Sequence, residues 1–113
     1  MSLAIRLGLE PCRSLDFTAL GVVYSTLGSP MMHPIRQIIL QNSTDTEIWL
    51  SNNGIDDQIP MQPHSYMILD ITSNKTIPVG FFLAEGQQIY VRQRGGVPSV
   101  GTIDMSVIYG SEV

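Results

Sequence analysis

Residues 35–54 read IRQIILQNSTDTEIWLSNNG, and the fold turns on how this stretch is understood. Two apolar runs rich in β-branched residues, Ile35 to Leu40 and Glu47 to Leu50, flank Asn42-Ser43-Thr44-Asp45-Thr46, a cluster of small polar turn formers. Alternating or branched apolar runs separated by such a cluster predict a β-hairpin with a loop of moderate length. Trp49, the only tryptophan, stands in the second arm, where a large ring beside branched aliphatics can nucleate a packed face. The stretch is therefore expected to be the spine of an all-β domain.

Outward from it the pattern continues. Asn52-Asn53-Gly54 followed by Asp56-Asp57 is a turn signal, because Asn and Gly tolerate positive φ. Pro60 and Pro63 keep the chain irregular up to His64, and Ser65 to Ile71 then reads as an interior strand, apolar on both alternating faces or close to a subunit contact. A polar loop is expected over Thr72 to Pro78, a short strand over Val79 to Leu83 and another over Gln87 to Gln93. In the last strand Ile103, Met105, Val107 and Tyr109 share one face, with Asp104 and Ser106 on the other. Toward the N-terminus, Leu15, Phe17 and Ala19 alternate with polar residues, and Val22 to Leu27 supplies a further short strand. Pro30 and Pro34 exclude helix around Met31-Met32-His33. Residues 1–12 end at Glu10-Pro11-Cys12 and read as an extended arm or a short edge strand. The expectation is one domain over 13–113 with an N-terminal arm over 1–12: an antiparallel β-sandwich or jelly roll of about seven or eight short strands.

Composition narrows the partners. At 113 residues the chain suits a single domain, which buries roughly two thirds of its unfolded surface. Only 14% of residues are charged, against about a quarter in ordinary globular domains, so part of the surface is expected to be covered by other subunits. The net charge of -4 and the lack of any Lys/Arg cluster argue against nucleic acid and anionic membrane. Cys12 alone cannot form an internal disulfide, and no leader-like apolar stretch opens the chain, so a soluble protein without an export signal is expected.

Chemistry is thinly represented. His33 and His64 lie in proline-bordered loops without ligand spacing, and the ordinary reading of both is a loop histidine. Asp56-Asp57 with Asp45 and Glu47 could gather around calcium, but the full calcium-loop pattern is missing and a solvated acidic turn is preferred. Asn42-Ser43-Thr44 and Asn74-Lys75-Thr76 match the glycosylation acceptor pattern yet read more simply as turns. Cys12 reads as a half-buried structural thiol. Tyr66, Tyr90 and Tyr109 on strands could form a binding platform for carbohydrate or protein, weighed against tyrosine's ordinary fitness for strands. With no paired acid/base constellation, neither an enzyme nor a cofactor is expected.

Two segments, IRQIILQNSTDTEIWLSNNG and LDITSNKTIPVGFFLAEGQQIYVRQRGGVPSVGTIDMSVIYG, resemble a group of small virion-associated proteins of tailed bacteriophages. In that group an LQN-TD--I--S-DG--D hairpin precedes LD-TSNK---GFFLAEGTQIYVKQ and a final SV-YG strand. The likeness is specific over Leu69 to Lys75 and Gly80 to Gln93, and departs from the pattern at Asn53 and over Asp56 to His64. The resemblance implies a structural part of the particle with no catalytic residues: a capsid decoration or cement protein, or a neck or tail accessory protein, or a tail-associated carbohydrate-binding module. It implies localisation in the virion after assembly in the host cytoplasm, with other virion proteins and further copies of the chain as partners. Subunit contacts are expected through the arm residues Leu3, Ile5, Leu7 and Leu9, and through an edge strand carrying Ile103, Met105, Val107 and Tyr109.

Overall fold

The computed structural model describes residues 5–70 and 84–112, with side chains from residue 8 to 70 and 84 to 109. The chain is nearly all-β, with one 3₁₀ turn at Phe17–Ala19 among the described residues. Two antiparallel sheets share one core. The first contains β1 (Ile5–Leu9), β2 (Arg13–Asp16), β4 (Gln37–Asn42), β7 (Ser65–Asp70) and β9 (Thr102–Glu112), in the order β1-β9-β4-β7, with β2 also on β9. The second contains β3 (Ser25–Thr26), β5 (Ile48–Ser51), β6 (Ile59–Met61) and β8 (Tyr90–Gln93), in the order β3-β8-β5-β6. This is the expected sandwich.

The expected central hairpin is not one. Both arms are strands, but β4 pairs with β7 and β9, whereas β5 pairs with β6 and β8. Residues 43–47 carry the chain from one sheet to the other, and their polar side chains turn inward. Asn42 and Thr44 are 1% and 0% exposed. The Asn42 amide donates to the Thr46 and Gln62 carbonyls at 3.0 Å each, and its Oδ1 accepts from the Thr44 backbone N–H at 3.1 Å and from its hydroxyl. Thr46 donates to the Gly96 carbonyl at 2.9 Å. A buried corner needs its polar groups satisfied locally, and Asn and Thr supply short side chains that reach neighbouring main chain. At the same corner Gly101 adopts φ +100°, and an added Cβ would lie 2.2 Å from the Ser43 carbonyl oxygen.

The core joins both inner faces: Ile38, Leu40, Ile103, Met105 and Val107 from the first sheet, Ile48, Leu50, Met61 and Val91 from the second. Leu20, Leu27, Met31 and Ile35 from the connections close its ends. Burying each such side chain contributes roughly 1.5–3 kcal/mol of transfer free energy. Trp49 is not part of this core. It has the parity opposite to buried Ile48 and Leu50, and its ring lies under the Arg94 guanidinium, 4.6 Å from the ring centroid.

Two strand positions also differ from expectation. β7 is not an interior strand: among the described residues it ends the first sheet, with Tyr66 70% and Ile68 56% exposed while Ser65, Met67 and Leu69 are half-buried. β9 is not an edge. It lies between β4 on one side and β1 and β2 on the other, and Ile103, Met105 and Val107 are 0% exposed. Its eleven-residue length lets two short strands share one flank, divided where Pro11 lacks an N–H. The second short strand expected over 22–27 shrinks to Ser25–Thr26, with Val22 and Val23 exposed. The loop and strand expected over 72–83 lie outside the described residues.

Candidate functional site

The break between β1 and β2 creates the most concentrated group of ionisable side chains. Arg13 shares the inward parity of Leu15, so its guanidinium is drawn under the 28–34 connection, where it donates to the Ser29 carbonyl at 2.7 Å and the Pro30 carbonyl at 2.8 Å. It also pairs with the Glu10 carboxylate at 2.6 Å. The second Glu10 oxygen accepts from the Met32 N–H at 3.1 Å and lies 2.8 Å from His33 Nδ1. The His33 ring in turn stacks on Tyr109, with centroids 3.7 Å apart and planes within 8°.

Burial pushes the Glu10 carboxyl up, but the hydrogen bonds from Arg13 and His33, the Arg13 charge and the Met32 amide outweigh it and hold the carboxyl below its ordinary value. Both carboxylate oxygens are engaged and the side chain is 0% exposed. The group is therefore arranged as a clamp between the edge strand and the 28–34 connection, not as an accessible base.

The acidic residues weighed for calcium are each taken by different partners. Asp57 binds Arg92, with Nε at 2.9 Å from Oδ1, and accepts from the Tyr24 hydroxyl. The Arg92 hydrogen bonds, then that of Tyr24, lower the Asp57 pKa. Asp56 accepts from the Asn53 amide at 2.8 Å, Asp45 accepts from the Ser99 hydroxyl and N–H, and Glu47 pairs with Arg94 at 3.2 Å. Among the described residues no group of three or more His, Cys, Asp or Glu is placed to hold a metal ion.

His64 is exposed, in a turn with φ 51°, and its N–H donates to the Thr44 carbonyl. Asn42 has its amide nitrogen engaged and buried, which rules out modification there in the folded chain; Asn74 lies outside the described residues. Cys12 is exposed rather than half-buried, because the interruption at Pro11 places it on the outer side of β9, with the Ser106 hydroxyl 3.9 Å from its sulfur.

The outer face of the first sheet is the second candidate. The register sets Ile68 opposite Ile39, Gln37 opposite Ile108, and Ile108 opposite Leu9. Ile39 and Ile108 are half-buried, and Leu9 is 64% exposed. With Tyr66 they form an apolar stripe across four strands, about 14 Å at ordinary strand spacing.

The residues expected at subunit contacts divide accordingly. Leu3 lies outside the described residues, and Ile5 and Leu7 are in β1, paired with Glu112 and Gly110. Leu9 is on the exposed stripe. Ile103, Met105 and Val107 do not fit the expectation: β9 pairs on both flanks, so their side chains fill the chain's own core. Tyr109 packs on that core and on His33. Glu10, Arg13 and His33 were hidden in sequence because their contacts span a strand break and a loop; the i,i+3 spacing of Glu10 and Arg13 around Pro11 was the available hint. Tyr66 and Ile68 were hidden because both parities of β7 are apolar. In comparisons with protein-family models, curated proteins and solved structures, nothing matches the chain.

Proposed function

We propose that this chain is a structural protein of a tailed-bacteriophage virion, a capsid decoration or cement protein that stabilises the head through subunit contacts. The observation that carries the reading is the exposed apolar stripe of Leu9, Tyr66 and Ile68 on an otherwise well-satisfied sandwich. Exposed apolar patches with polar margins suit protein contacts. The resemblance over residues 35–54 and 69–110 supports the same reading. So does the strand order: β1/β2 with β9, β3 with β8, β4 with β7 and β5 with β6 form nested pairs, which we read as a jelly roll, an architecture shared by viral shell proteins and lectins.

Cryo-electron microscopy and mass spectrometry of purified particles test this. The expected result is density for the chain in repeated copies on the head; its absence from mature particles would overturn the reading. Density at the neck or tail would replace decoration by an accessory-ring role. The exposed Tyr66 ring beside Gln41 favours carbohydrate binding as the second reading, and a glycan array with wild type and Tyr66→Ala distinguishes it.

A further inference from the structure

The stripe on the outer face of the first sheet has a one-signed margin. The register places Asp70 opposite Gln37, beside the Ile39 and Ile68 pair, and Asp104 opposite Gln41 and Ser14. Asp16 shares the outward parity of Ser14 on β2. Asp104 is engaged by the hydroxyls of Ser14 and Thr102 and Asp16 by Thr18, neutral donors that leave the carboxylate charge on the face. Thr18 hydrogen bonds lower the Asp16 pKa, so it is ionised at neutral pH.

The cations of the described chain lie elsewhere: Arg13 is buried beneath the 28–34 connection, Arg92 and Arg94 pair with Asp57 and Glu47 at the second sheet, and Arg36 has the inward parity of Ile38 and Leu40. Two copies brought together through this face would oppose carboxylates with no described cation between them, which is unfavourable at contact distance.

Resting on the virion reading, we propose that this face docks on a different virion protein, at a surface where apolar side chains are flanked by lysine or arginine. Ile68, Ile39, Ile108, Leu9 and Tyr66 supply the desolvated centre, and Asp16 and Asp104 supply charge that selects the partner and rejects another copy of the chain.

Cys12 lies beside this face and is exposed, which makes it a reporter. Maleimide labelling of Cys12 is compared between the purified chain and intact particles, together with particle occupancy in 50 and 500 mM salt and for Ile68→Lys. The expected outcome is at least tenfold slower labelling in particles. Occupancy falls severalfold at high salt, and at least tenfold for Ile68→Lys, whose melting temperature stays that of the wild type.

If the chain is present in particles but labels at the free rate and Ile68→Lys is retained, the docking face is wrong while the virion reading stands. Absence from particles overturns both. A purified chain that sediments as a dimer, with Cys12 protected and Ile68→Lys monomeric, makes the occupant a second copy and overturns the proposal.

Discussion

Glu10 brings a carboxylate into the protein interior only because Arg13, His33 and the Met32 amide meet it there. Removing one member of a buried ion pair leaves the other uncompensated, so Glu10→Ala is expected to lower stability by about 3–5 kcal/mol in urea denaturation. The pH dependence has a definite sign. The folded Glu10 pKa lies below its ordinary 4.5, so its contribution is complete above that value and is lost as pH falls through the depressed folded value. Asp16, Asp45 and Asp57 are lowered as well and act in the same direction. Stability measured from pH 7 downward is therefore expected to stay level to about pH 5 and then fall, with a shallower fall in Glu10→Gln, which cannot titrate. An equally steep acid limb in that variant would show that Glu10 is not a contributor. Gly8 belongs to the same locality: an added Cβ would lie 2.3 Å from the Tyr109 ring, so Gly8→Ala must displace the ring on which His33 stacks.

At the scale of elements, the corner after β4 decides which sheet each strand joins. Asn42→Ala deprives the Thr46 and Gln62 carbonyls and the Thr44 N–H of their partner inside a buried corner, and a loss of roughly 2–4 kcal/mol is expected in chemical denaturation. Gly101→Ala places a methyl group against the Ser43 carbonyl in a backbone conformation that L-residues avoid. It should be at least as damaging, and a wild-type melting temperature would contradict the corner geometry. The strands themselves were legible: the alternation of Ile103, Met105, Val107 and Tyr109 marks an inward face, and the structure places those four on the core side. Their placement as an edge was not legible, because alternation reports that one face is covered and is silent about how many neighbours hydrogen-bond to the backbone.

At the scale of the whole molecule, side chains of both sheets meet in one core, so the sheets are expected to unfold together. Ile48→Ala in the second sheet and Val107→Ala in the first should each cost about 2–5 kcal/mol without changing the denaturant slope. Tryptophan fluorescence from Trp49 and far-ultraviolet circular dichroism should trace the same transition; two separate midpoints would show that the sheets are independent units. The sequence by itself determined that the chain is built of short antiparallel strands, because period-two alternation and turn residues act over a few neighbouring positions. The same local reading joined β4 to β5 as a hairpin, put Trp49 in the core and left His33 alone in a loop. Only the tertiary structure decided those points, since strand partners, the covered side of a two-faced apolar strand such as β7, and ion pairs such as that of Glu10 with His33 depend on residues brought together from distant parts of the chain. Hydrogen-bond partners and burial are properties of that assembled neighbourhood, and no short window of sequence contains it.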